Sequence, residues 1–298
     1  MTLFSIEKDG LKARVSTQGG VVQDLFWSRG GDTVPLLRPG PQDEAGALAA
    51  GCFPLVPFGN RVRNNRFQFE HQVYALSPNT AWDPHYLHGE GWLANWQVAD
   101  QSPEAIMLRF EHTDGEGTPY RYEATQRFAM TDGGLHLTLS VTNGGKVALP
   151  FGLGWHPYFP MTPQTRLTAP AALHWTEVEG WLPGERAPIP EDIDFRTARG
   201  LPHRWVNNGF EDWSGEAIID WPEFKTRLTL SADPLFRHAF IFVSDTTFDP
   251  TFHRDYFCFE PMSHLADGQN LNDLGGLTVL QPGETLAGGI RLTPSSIR

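Results

Sequence analysis

The 298 residues are 40% hydrophobic and 19% charged, an ordinary globular balance that excludes a disordered chain. A formal charge of -12 without any cluster of lysine and arginine excludes a polyanion-binding surface, so no nucleic-acid partner is expected. Glu7, Lys8 and Asp9 interrupt the opening segment where a secretion signal needs an apolar run, and no later run reaches membrane-spanning length, so a cytoplasmic protein without a membrane partner is expected.

With 30 glycines and 24 prolines, the chain is punctuated too often for long helices and suits many short strands joined by turns. Taken in order, the first irregular segment is GCFPLVPFGNRVRNNRFQF. Its prolines and glycine lead to Asn60 and Arg61 ahead of a strand that begins near Phe67 and continues through Phe69. Arg61 is either a surface arginine paired with an acid or a planar donor suited to sugar hydroxyls. Next, HYLHGEGWLANW places His85, His88, Trp92 and Trp96 in a loop with two glycines. Two histidines three apart invite a zinc reading, but no companion ligand occurs at a matching spacing, so no metal is expected. A hydrogen-bonding His88 beside an aromatic platform at Trp92 fits better, because indole faces stack on the C–H faces of sugars.

Alternation then runs through Ile106, Leu108 and Phe110, and most clearly through LHLTLSVTN, where Leu135, Leu137, Leu139 and Val141 share one face. Asp132-Gly133 and Asn143-Gly144 supply the turns around it. In PFGLGWHPYFP, His156 stands immediately before a proline, and in YFCFEPM so does Glu260. Proline holds the preceding residue extended and ends sheet pairing, so the strand through Phe257 and Phe259 is predicted to deliver Glu260 at its rim, in apolar surroundings that raise its pKa. His156 is equally readable as a satisfied core histidine. Between these motifs, the Pro-rich stretch from Trp181 to Pro190 reads as one long ordered loop, and Leu228 and Leu230 mark a further strand. Cys52 and Cys258, set among apolar neighbours, read as buried reduced thiols. With no repeat and no linker, the fold class expected is all-β, a large antiparallel β-sandwich forming a single domain over residues 1–298.

Together and in register, PFGNRVRNNRF, LHGEGW, GLGWHPYF and FCFEPM resemble the motif series of the aldose 1-epimerase (galactose mutarotase) family. The match runs from about residue 50 to about residue 265. The resemblance implies a β-supersandwich that binds a small aldose, hexose or pentose, across a sheet and interconverts its anomers without a cofactor, as a monomer or homodimer. It carries the role of general base onto Glu260, general acid onto His156, and a helper hydrogen-bonding the ring oxygen or the C1 oxygen onto His88. Arg61, with Asn60 beside it, takes the sugar-orienting role. In VNNGFEDW, Asn207 stands where the family usually has an aspartate that binds sugar hydroxyls. An amide both donates and accepts, so binding survives in principle, with Asp212 the candidate for the missing carboxylate.

Two other readings stay open. A hexose-6-phosphate epimerase would need a cationic cluster at the pocket rim, for which Arg63 and Arg66 are available. A non-catalytic carbohydrate-binding or sensing domain would keep Trp92 and Trp155 but dispense with a working acid and base.

Overall fold

A computed structural model describes residues 3–41, 46–113, 115 and 117–297. The two-residue pleat decides its elements. In Gly134–Asn143, Leu135, Leu137, Leu139 and Val141 are buried while His136, Thr138, Ser140 and Thr142 stay half-exposed. The same alternation builds Ala105–His112 around Ile106 and Leu108, and Thr226–Ala232 around Leu228 and Leu230. Asp132 and Gly133, the glycine at φ 79°, close the two-residue turn between Tyr122–Thr131 and Gly134–Asn143. Helix among the described residues amounts to short 3₁₀ turns of three residues each, and no helix is long and apolar enough to cross a membrane.

The strands assemble into two large sheets, antiparallel at every pairing. The eleven-stranded sheet runs, side by side, through Leu3–Lys8, Leu11–Ser16, Val21–Arg29, Cys52–Leu55, Gly154–Pro160, Tyr256–Met262, His238–Val243, Val206–Glu211, Leu173–Val178 and Leu182–Ala187, with Asp32–Pro35 attached to Val21–Arg29. The nine-stranded sheet runs from Gln97–Gln101 through Tyr122–Thr131, Gly134–Asn143 and Thr285–Ser296 to Arg199–Gly200. One continuous apolar cluster joins them, with Trp155, Phe159, Phe257 and Phe259 of the first sheet and Phe128, Leu137, Leu139 and Leu230 of the second.

One expectation fails here. The stretch after Trp181 is not a loop: Leu182–Ala187 is a strand hairpinned to Leu173–Val178, turning at Gly180 (φ 79°) and Trp181 (φ 58°). Pro183 and Gly184, which made the segment read as irregular, are tolerated because this strand is the last in its sheet and has one unpaired edge.

Candidate active site

Alternate residues of the two central strands face away from the core. Gly154–Pro160 and Tyr256–Met262 pair Gly154 with Met262 and Tyr158 with Cys258, a register that sets His156 opposite Glu260 on one face. Between those pairings the ladder is open. Tyr158 N–H donates to Gly51 on the outer side and Ser263 N–H donates to Leu153, so by strand alternation the nitrogens of Pro157 and Pro261 face one another's strand within the open interval. Two prolines that cannot donate occupy the positions where no ladder bond is made, while each strand stays paired on its other side, to Cys52–Leu55 and His238–Val243. Glu260 is thus mid-strand rather than at a rim, correcting the sequence expectation, and His156 is mid-strand as well. Proline opens the ladder locally without ending the strand.

Across that opening, His156 Nε2 lies 3.2 Å from Glu260 Oε1. The His156 ring stacks on Phe53 with centroids 4.4 Å apart and meets the His88 ring edge-on at 5.4 Å. Burial dominates the electrostatics of the pair. It pushes the Glu260 carboxyl well above its ordinary range against the pull of Arg61, and it drives His156 down to about 3. Both shifts favour the uncharged forms, a carboxyl and a neutral imidazole. A carboxyl beside a neutral imidazole and a carboxylate beside an imidazolium differ only in which side of the 3.2 Å contact that proton occupies. Glu260 Oε2 is buried with no hydrogen-bond partner among the described residues, an arrangement that costs roughly 1–3 kcal/mol unless a ligand satisfies it.

A second corner comes from Asn60, just before Arg61–Val62, and His88, just after Tyr86–Leu87, two segments that pair as a two-residue ladder. Asn60 takes the left-handed region at φ 64°, its side chain accepting from Arg61 N–H at 2.9 Å. Its own N–H donates to His88 Nδ1 at 2.9 Å, which fixes the His88 tautomer: Nε2 carries the hydrogen. Burial, then His156, keeps His88 well below the ordinary histidine range, so it is a neutral donor. Gly89 follows at φ 67°, where a Cβ would stand 2.2 Å from the Val56 carbonyl, so only glycine permits this turn. Arg61 donates through Nε and Nη2 to Asp83 Oδ2, both at 2.8 Å, and its guanidinium lies 5.2 Å from the Trp181 ring centroid. Asp83 is wholly buried, so the charge pair is anchored inside the protein rather than on its surface.

These groups line a cleft of about 670 Å³ together with Arg38, Tyr158, Trp181, Asn207 and Phe242. Glu260, His156, His88, Arg61, Asn60 and Asn207 all meet there. Trp92 does not: its indole lies stacked behind Phe53 at 5.4 Å, with its N–H donating to the Leu87 and Gly89 carbonyls. It braces the His88 loop, and the aromatic wall comes instead from Trp181, Tyr158 and Phe242. Asp212 is paired with Arg237 at 2.9 Å and lies outside the cleft; the carboxylate beside Asn207 belongs to Glu177. Arg63 and Arg66 line a separate hollow, where Arg63 is held by Asp267 and the Pro183 carbonyl. Cys258 lies under the cleft and Cys52 behind it, both free, and burial pushes both thiols up so that they stay protonated. Among the described residues no group of three or more His, Cys, Asp or Glu is placed to hold a metal ion.

Comparison with known proteins identifies the family of the chain. The aldose 1-epimerase family matches residues 2–293. The Escherichia coli (strain K12) protein YphB, itself uncharacterised, is 46% identical over 286 residues, 96% of each chain. An aldose 1-epimerase from the same organism is 27% identical over 173 residues, 53% of this chain and 47% of that one. Among solved structures, an E. coli K12 protein provisionally named an aldose 1-epimerase superposes with a TM-score of 0.94 at 44% identity over 99% of both chains. A galactose mutarotase-like protein from Clostridium acetobutylicum shares the fold at TM-score 0.84 and 20% identity, covering 99% of this chain and 95% of that one. With the family matched along nearly its whole length and these strands around the cleft, the chain belongs to the aldose 1-epimerase family of isomerases.

Proposed function

We propose that this protein interconverts the α and β anomers of a free aldose by general acid and base catalysis. The observation that carries the reading is the 3.2 Å contact between His156 Nε2 and Glu260 Oε1, opposite one another on the open face of the sheet and inside a sugar-sized cleft. Anomer exchange removes the proton from the C1 hydroxyl and places one on the ring oxygen; the C1–O5 bond breaks to give the open-chain aldehyde. Rotation about C1–C2 and closure on the other carbonyl face complete the exchange. One base and one acid suffice, and they trade roles for the return. Glu260 as carboxylate takes the C1 hydroxyl proton and His156 as imidazolium protonates the ring oxygen. Burial favours the opposite placement of the proton, so the working form is reached by moving it across the 3.2 Å contact as the sugar's polar atoms come to surround the pair. His88 Nε2–H donates to the ring or C1 oxygen, and Arg61, fixed by Asp83, orients the ring with Asn60. The strands building the cleft span residues 52–262, in keeping with one domain over 1–298.

The phosphate-sugar reading loses the arginines expected to serve it, since Arg63 and Arg66 lie outside the cleft; of the two that line it, Arg61 is paired with buried Asp83 and Arg38 donates to the Leu48 and Ala50 carbonyls. The binding-only reading leaves the Glu260–His156 pair without a purpose. The test is anomer exchange of freshly dissolved α-glucose, α-galactose and pentoses, followed by polarimetry or NMR. Acceleration by catalytic amounts of protein is expected; exchange no faster than in buffer for every aldose would end this proposal.

A further inference from the structure

Asn207 stands in the cleft wall where the Val206–Glu211 strand sets it opposite Phe242. Its amide nitrogen donates to the carboxylate of Glu177, on the neighbouring Leu173–Val178 strand. Glu177 is itself clamped: both of its oxygens accept from the Trp205 indole N–H, at 3.0 and 3.1 Å. A carboxylate offers acceptors and no donor, so the Asn207 amide must present its nitrogen to Glu177 and turn its oxygen the other way. Asn207 Oδ1 has no hydrogen-bond partner among the described residues, while the residue lines the cleft. An amide left free would show a sugar either a donor or an acceptor. This one is held as an acceptor.

We infer that Glu177 is a specificity-positioning residue: it locks the Asn207 amide so that the cleft wall accepts a hydrogen bond, selecting aldoses that place a hydroxyl donor at that point. The inference rests on the aldose reading of the cleft. Its physical content is that the pair Glu177–Asn207 presents the same face as a single carboxylate would, one oxygen outward, with the negative charge moved one residue back from the sugar. Burial raises Glu177, and the donors on Asn207 and Trp205 with the nearby Arg61 charge oppose that rise, so the carboxylate that does the locking is supported on three sides.

The experiment is a charge swap. In Glu177→Gln the facing amide can present either its oxygen or its nitrogen, so Asn207 is no longer locked, and KM for the preferred aldose is expected to rise about fivefold to tenfold, as for one lost hydrogen bond, with kcat unchanged. Asn207→Asp sets two carboxylates against each other and raises KM similarly. The double variant Asn207→Asp/Glu177→Gln restores one donor facing one carboxylate, and KM is expected to return to near the wild-type value. Sugar titrations of tryptophan fluorescence on the same four proteins read the same pattern without catalysis, and melting temperatures confirm that each is folded. Unchanged KM in Glu177→Gln, or a double variant no better than the worse single one, overturns the inference while leaving the anomerase reading intact. A protein that binds sugars in the swap pattern but does not speed anomer exchange overturns that reading and leaves the inference standing. Neither binding nor exchange with any aldose overturns both.

Discussion

The two faces of the Gly154–Pro160 and Tyr256–Met262 strands are one residue apart in sequence and opposite in purpose. Trp155, Phe159, Phe257 and Phe259 enter the apolar cluster shared with the nine-stranded sheet, whereas His156, Tyr158 and Glu260 line the cleft, with Cys258 buried on the same face. On the core face the neighbours are mostly apolar side chains and the gain is burial, worth roughly 1.5–3 kcal/mol for each large side chain. On the cleft face the same dryness works against ionised groups and moves both members of the Glu260–His156 pair toward neutrality. Both strands thus hold the fold with their odd residues and turn their even ones to the cleft side, because the pleat separates them by about 180°.

If that division is right, substitutions on the two faces should part company. Glu260→Gln should lower kcat/KM for anomer exchange by roughly 100-fold to 10,000-fold while the protein still melts near its wild-type temperature. Activity within tenfold of wild type would remove Glu260 from the proton relay. Phe257→Ala, one strand position from the cleft face, should do the reverse: a loss of roughly 3–5 kcal/mol in chemical denaturation. The protein that remains folded should keep near-normal kcat. A large kcat defect there would show that the two faces are not separable.

Arg61→Lys probes the join between them. A lysine keeps the charge beside buried Asp83 but loses the two-nitrogen grip, so we expect KM to rise by about tenfold with a smaller fall in kcat. A normal KM would make the arginine purely structural. The pH dependence of stability offers a subtler test. Glu260 has a raised folded pKa, so the folded chain binds the extra proton and this contribution is lost as pH rises above about 4.5; His156, lowered to about 3, contributes stability that is present above about 6.5 and lost as pH falls toward 3. Between pH 4.5 and 6.5 the two slopes oppose each other in the wild type, each at most ~1.4 kcal/mol per pH unit. Glu260→Gln should leave the His156 slope alone, so its melting temperature should fall more steeply than wild type on acidification from pH 6.5 to 4.5. Parallel pH profiles would show that the pair is not buried as described. The smallest effect is expected for Trp92→Phe, which keeps the packing on Phe53 and loses the indole N–H bonds to the Leu87 and Gly89 carbonyls: about 1 kcal/mol of stability and at most a few-fold in kcat. A loss of sugar affinity alone would return Trp92 to the cleft wall.

The chain order of the site was legible before the fold was. LHLTLSVTN reads as a strand because its period is two, and His156 and Glu260 stand out because a polar group after an apolar run and before proline breaks local logic. What the pattern misplaced was their position along the strand. Proline signals a missing donor, and nothing local says whether the strand ends there or the ladder merely opens. Trp92 and Trp181 are indistinguishable as indoles in loops, yet one braces from behind and the other lines the cleft. Asp83 went unnoticed because its partner Arg61 is 22 positions away across an aperiodic turn, and Glu177 because it looks like any half-exposed strand residue until the neighbouring strand brings Asn207 to it.

The sequence by itself determined the all-β class, the family and the candidates for the proton-moving groups, since these depend on period, turn chemistry and residue type, all of which are local. Only the tertiary structure decided that residues 104 positions apart face each other at 3.2 Å, that Glu177 rather than Asp212 attends Asn207, and that Arg63 and Arg66 stand outside the cleft. Register across a sheet is a pairing between distant strands, and it is fixed by the whole apolar interface those strands must bury together.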